Sequence, residues 1–126
     1  MLRNTSSVIW RFNTMTSSQK RKGHAAELAV VKWLRAYGIQ ADRIQAGTHD
    51  DIGDVTGWPG VVIEVKDRKT HDWSAYFEQL NRQINNLDAY TGVVICKRPG
   101  KTDVSEWMAV MPAYWWMELM LLLEDK

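Results

Sequence analysis

The chain has 126 residues, 45% of them hydrophobic and 25% charged, with a formal net charge of +1 and one cysteine. This length suits a single domain with one core, and the lone Cys96 excludes an internal disulfide, which fits a reducing cytoplasm. No apolar stretch approaches a membrane span and no compact apolar signal run is found, so the sequence reads as that of a soluble protein.

The near-neutral total conceals an uneven distribution. Up to Gly47 the bases Arg3, Arg11, Lys20, Arg21, Lys22, Lys32, Arg35 and Arg43 oppose only Glu27 and Asp42, whereas beyond Thr102 the acids Asp103, Glu106, Glu118, Glu124 and Asp125 oppose only Lys126. A basic first half suits a polyanion held through its phosphates, with Lys20, Arg21 and Lys22 as the expected contacts. The 7 tryptophans are read mainly as core and interface anchors.

Residues 1 to 17 are Ser/Thr/Asn-rich and without periodicity, so they are read as a poorly ordered tail preceding a domain over 18 to 126; Met15 is a candidate natural start. From Ser18 to Tyr37, Ala25, Leu28, Ala29, Val31 and Leu34 form a broad apolar stripe closed by Gly38, which predicts a helix carrying Glu27. Ile39 to Ile44 reads as an edge strand. The following loop, Gln45 to Asp51, contains glycine, a hydroxyl and two acids, and cannot pack a core; within it His49 is a phosphate contact or a plain loop residue.

The stretch Asp54 to Lys66, DVTGWPGVVIEVK, organises the rest. Val61, Val62, Ile63 and Val65 are β-branched and follow a Pro59-Gly60 turn, which predicts a buried strand. Alternation places Val61, Ile63 and Val65 towards the core and Val62, Glu64 and Lys66 on the other face. The turn over Gly57 to Gly60 folds Asp54 back towards Glu64, so two carboxylates and an ammonium converge at one end of a small sheet. Asp51 is a rival for the aspartate position. Carboxylate oxygens suit Mg²⁺, with Mn²⁺ able to substitute, and a neighbouring lysine can orient water and offset charge on a phosphate. Glu-x-Lys on a strand also describes an ordinary solvated ion pair, and Asp54 across the turn favours the chemical reading.

Downstream, Asp67 to Asp72 is a polar loop, and Asp72 or Ser74 caps a second helix running to about Ala89, with Phe77, Leu80, Ile84 and Leu87 as its expected buried stripe and Gln79 and Gln83 beside it. Val93 to Lys97 predicts a buried strand and Trp107 to Met111 the last one. Pro112 opens a final helix, Ala113 to Leu123, whose only polar break is Glu118; part of it is expected to cover the sheet and the rest to form a homodimer interface. The order α-β-β-β-α-β-β-α defines an α/β domain with a mixed central sheet flanked by helices.

Asp54 … Glu64-Val65-Lys66 resembles the PD-(D/E)xK nuclease motif, with Gly53 in place of the proline. The run Lys22-Gly23-His24-Ala25-Ala26-Glu27, followed by Val30-Val31, Leu34 and Gly38, resembles the opening helix of archaeal-type Holliday junction resolvases and their phage relatives, and the likeness extends over roughly residues 20 to 98. The resemblance implies a restriction-endonuclease-like fold and cleavage of four-way DNA junctions by a homodimer. It also implies that Glu27 joins Asp54 and Glu64 in the metal site, that Thr48 stands where a loop serine approaches the scissile phosphate, and that Gln79, or failing it Gln83, supports the active site. Rival readings are a nicking, restriction-type or exonuclease enzyme of the same superfamily, and a non-catalytic DNA-binding subunit.

Overall fold

The computed structural model describes residues 17–45 and 51–125. Its elements, in chain order, are helix α1 (Ser17–Ala36), strands β1 (Asp42–Arg43), β2 (Val55–Thr56) and β3 (Val61–Lys66), helix α2 (Trp73–Leu87), strand β4 (Thr91–Cys96), a 3₁₀ turn (Val104–Glu106), strand β5 (Met108–Val110) and helix α3 (Ala113–Glu124). The expected order of helices and strands is observed. Met15, Thr48, His49 and nearly all of the expected tail lie outside the described residues.

The five strands form one sheet in the order β1-β2-β3-β4-β5. β3 and β4 are parallel, in register from Val61 opposite Thr91 to Lys66 opposite Cys96, and the other pairings are antiparallel. The parallel pair requires a crossover, which α2 provides. Both faces of the sheet are therefore covered, and the expectation that Val62 and Glu64 face away from the core is corrected. On the α1 side, Ile63, Val65 and Val55 pack against Ala26, Val30, Val31 and Leu34. On the α2 side, Val62, Val94 and Cys96 pack against Leu80, with Tyr76 and Ile84 half-buried beside them.

The second face leaves little room. A Cβ on Gly92 would lie 2.7 Å from Leu80 Cδ1 and 3.0 Å from Val62 Cβ, so β4 passes under α2 because this position lacks a side chain. Helix α2 is rotated relative to the expected stripe: Leu80 and Gln83 are its buried residues, whereas Phe77 and Leu87 are exposed. Gln83 is drawn inward by its bonds to acidic groups, described below. Asp72 caps the helix by accepting from Ala75 N, and Asp88, at φ 53°, closes it one residue after Leu87.

β1 is much shorter than the predicted Ile39 to Ile44 strand, because Ile39 and Ala41 turn into the α1 core. Helix α3 differs more. None of its residues is fully buried: Trp115, Leu119 and Met120 are half-buried, and Tyr114, Trp116, Met117, Leu121, Leu122 and Leu123 are each at least half exposed, so its cover of the sheet is partial at most. The tryptophans follow the same trend, with Trp58, Trp73 and Trp116 exposed and none of the described indoles fully buried. Among the described residues no helix is long and apolar enough to cross a membrane.

Candidate active site

The site forms where the β2–β3 pairing stops. Val55 faces Ile63, and Asp54 N donates to Ile63 O at 2.9 Å. Beyond this rung the Val65 N–H has no backbone partner on that side and donates instead to Asp54 Oδ2 at 2.9 Å. The Asp54 carboxylate is thereby fixed against β3 beside Glu64. Gly53 sets the approach: its φ of 107° is forbidden to proline, which explains why the proline of the resembled motif does not stand here.

On β3, Glu64 and Lys66 share the α2 face, and Lys66 Nζ lies 3.1 Å from Glu64 Oε2. Two glutamines of α2 hold this pair. Gln83 Nε2 donates to Glu64 Oε1 at 2.8 Å, and Lys66 Nζ donates to Gln79 Oε1 at 2.8 Å. The Tyr76 ring lies 5.0 Å from Lys66 Nζ, and its hydroxyl is 3.0 Å from His71 Nδ1. Gln83, the second choice from sequence, is the glutamine that contacts the acid, and Gln79 is the one that contacts the lysine. Tyr76, Gln79 and Gln83 recur at i, i+3 and i+7, a spacing that marks one helix face and could have identified all three.

Glu27, Asp54, Glu64, Lys66 and Gln79 line one open pocket of roughly 920 Å³, together with Lys22 and the loop from Asp67 to Asp72. Burial raises Asp54 from its ordinary 3.8 to about 6, with further upward pressure from Glu27 opposed by the Val65 amide. Burial and then repulsion from Asp54 raise Glu64 from 4.5 to about 7, against the pull of Lys66 and Gln83. A buried acid and a half-buried one that repel each other beside a single lysine create a demand for positive charge.

Their oxygen-only donor set fits a hard divalent cation such as Mg²⁺, which commonly takes one or two protein carboxylates and keeps water in its other positions. Among the described residues, no group of three or more Asp, Glu, His or Cys side chains is arranged to hold a metal ion. The expected trio of Glu27, Asp54 and Glu64 is thus not preassembled, because Glu27 Oε1 accepts from Arg43 Nε at 3.0 Å while Asp54 and Glu64 form the inner pair. Asp51, the rival aspartate, is exposed and does not line the pocket.

Of the expected phosphate contacts, Lys20, Arg21 and Lys22 occupy the first turns of α1; Arg21 and Lys22 are exposed, and Lys22 lies 3.8 Å from Asp67. Cys96 is buried under α2, and burial pushes its thiol up to about 11, away from nucleophilic use.

A mixed sheet with a helix on each face and an acid-acid-lysine pocket at the frayed edge of its central strand defines a restriction-endonuclease-like α/β architecture. Neither a protein family model nor a curated protein matches the sequence. Among solved structures, the chain is similar to Hjc of Archaeoglobus fulgidus, described as a Holliday junction resolvase from an archaeal hyperthermophile. The likeness has 24% identity, covers 70% of this chain and 73% of that one, and gives a TM-score of 0.51, which establishes a shared fold.

Proposed function

We propose that this protein is a divalent-metal-dependent, structure-specific DNA endonuclease that resolves four-way junctions as a homodimer. The observation that carries the reading is the meeting of Asp54, Glu64 and Lys66 in one pocket, also lined by Glu27, on a fold shared with a resolvase. When bound by Asp54 and Glu64, Mg²⁺ or Mn²⁺ supplies Lewis-acid polarisation of a phosphate and its attacking water. In the hydrolysis itself, water forms the new bond to phosphorus as one P–O ester bond breaks, and the proton that the water gives up ends on the departing alcohol oxygen.

The chain's own residues supply the remaining functions. Lys66, fixed by Glu64 and Gln79, directs its Nζ at the pocket and offsets charge that develops on the phosphate. Glu27 orients water at the outer side of the site once Arg43 turns to the nucleic acid. Lys20, Arg21 and Lys22 hold flanking phosphates and make affinity dependent on salt.

The exposed apolar face of α3 supports self-association, since a monomer rarely leaves so many large side chains in water. A two-fold dimer presents two sites to a junction that itself has approximate two-fold symmetry. Comparing cleavage of a four-way junction, a linear duplex and a flap, with Mg²⁺, tests the reading and separates it from other nucleases of this fold. Cleavage of the junction in preference to the others supports it, and cleavage of none of the three rejects it.

A further inference from the structure

Three amide side chains on successive turns of α2 converge on one residue that the catalytic reading does not use. Gln83 Nε2 donates to Asp51 Oδ1 at 2.9 Å, Gln79 Nε2 to Asp51 Oδ2 at 3.3 Å, and Asn86 Nδ2 to the Asp51 carbonyl at 2.9 Å. Asp51 therefore engages each of its carboxylate oxygens with a different glutamine, and Asn86 anchors its backbone.

Both glutamines are the ones that hold the active pair: Gln79 accepts from Lys66, and Gln83 donates to Glu64. An amide has one donor end and one acceptor end, so the group facing one end decides what the other end can bind. A carboxylate at position 51 can only accept when ionised. It draws the Gln79 NH₂ towards itself and leaves the Gln79 oxygen facing Lys66, the polarity an ammonium needs. It likewise fixes the NH₂ of Gln83 between two acids, at the expense of the buried Gln83 Oε1, which has no hydrogen-bond partner. Leaving a buried acceptor unmatched is costly, and its retention indicates that the orientation of this amide matters more than its full satisfaction.

We infer that Asp51 is a positioning residue that acts through Gln79 and Gln83 to aim Lys66 and Glu64. It forms no ion pair with Lys66, shares the Gln83 NH₂ with Glu64 and, rather than competing with Asp54 for a cation, sets the polarity of the two amides behind the site. The inference rests on the nuclease reading for its kinetic consequence, whereas the amide orientation stands apart from it.

The test is a double-mutant cycle of Asp51→Ala and Gln79→Ala on the full chain, with Asp51→Asn as the conservative variant, reading kcat and KM on a four-way junction with Mg²⁺ and the side-chain amide NMR signals of Gln79 and Gln83. The expected result is a fall in kcat of about 10- to 100-fold for Asp51→Ala at nearly constant KM. Asp51→Asn, which keeps one acceptor, should fall between Asp51→Ala and the wild type. The double variant should lie within about twofold of the weaker single variant, because the residues act in one chain of contacts. Asp51→Ala should also shift the Gln79 and Gln83 amide signals. Wild-type kcat in Asp51→Ala, or fully additive losses, would overturn the inference. If the wild type cuts no junction, the nuclease reading fails separately and the NMR arm decides alone: displaced amide signals support the inference and unmoved ones refute it.

Discussion

Gln83 and Glu64 form a buried hydrogen bond across the sheet–helix interface, with Gln83 Nε2 donating to Glu64 Oε1 at 2.8 Å and Gln83 wholly shielded from solvent. A carboxylate in an apolar layer is tolerable only with such donors around it. Gln83→Leu removes the donor while keeping similar bulk, and should destabilise the fold by about 1–3 kcal/mol near neutral pH, read as a lower urea midpoint at unchanged slope. A midpoint equal to that of the wild type would show that Glu64 does not depend on this bond.

Stability of the metal-free protein should depend on pH through Asp54 and Glu64. Their folded values, about 6 and about 7, lie above their ordinary 3.8 and 4.5, principally because of burial. The folded state therefore binds protons more tightly than the unfolded chain, and the contribution of these groups is full below about pH 4 and lost as pH rises through 6 to 7. In EDTA, Tm should fall between about pH 5 and about pH 8, and the Glu64→Gln variant should flatten the decline. Millimolar Mg²⁺ should restore Tm mainly at the upper end, because the cation competes with protons for the same oxygens. A wild-type Tm that rises across this window in EDTA would contradict the assignment.

Lys66 lies between Glu64 Oε2 and Gln79 Oε1. Lys66→Met should lower junction cleavage by roughly 10²- to 10³-fold, comparable to removing one donor that faces developing charge. Junction affinity, read by gel shift in Ca²⁺, should change little, because phosphate contacts elsewhere carry binding. A proportional loss of affinity would recast Lys66 as a binding residue.

Helix α3 has no buried residue, and its Tyr114 hydroxyl donates to Thr91 Oγ1 at 3.3 Å. If the proposed dimer forms through this helix, a charge at Trp116 or Leu122, or truncation after Pro112, should yield monomer or aggregate in light scattering. The shift in Tm at low protein concentration should be small, since neither core cluster draws on this helix. An unchanged dimer would place the interface elsewhere.

The local chemistry of β3 made most of this architecture readable. Its β-branched run, the Pro59-Gly60 turn and the Glu-x-Lys alternation locate the central strand, and helical periodicity locates α1 and α2. Alternation puts Val62 and Glu64 on the face opposite Ile63 and Val65 but does not reveal whether that face meets water or a helix. The parallel crossover through α2 covers them. The buried face of α2 departs from its apolar period for a related reason: Phe77 and Leu87 fit that period yet are exposed, whereas Gln83 is buried on Glu64 and Gln79 bonds Lys66. Glu27 could be placed by resemblance, yet its pairing with Arg43 depends on β1 lying against α1, which no local pattern encodes. The exposure of α3 is likewise illegible from composition, since an apolar helix is equally consistent with a core and with an interface.

The most direct test is cleavage of a labelled four-way junction with Mg²⁺ by the wild type and by Asp54→Ala, each purified to homogeneity and confirmed folded by circular dichroism. The account predicts paired, Mg²⁺-dependent incisions by the wild type and none by Asp54→Ala, which should still retard the junction in a gel. Wild-type cleavage by the Asp54→Ala protein would contradict it.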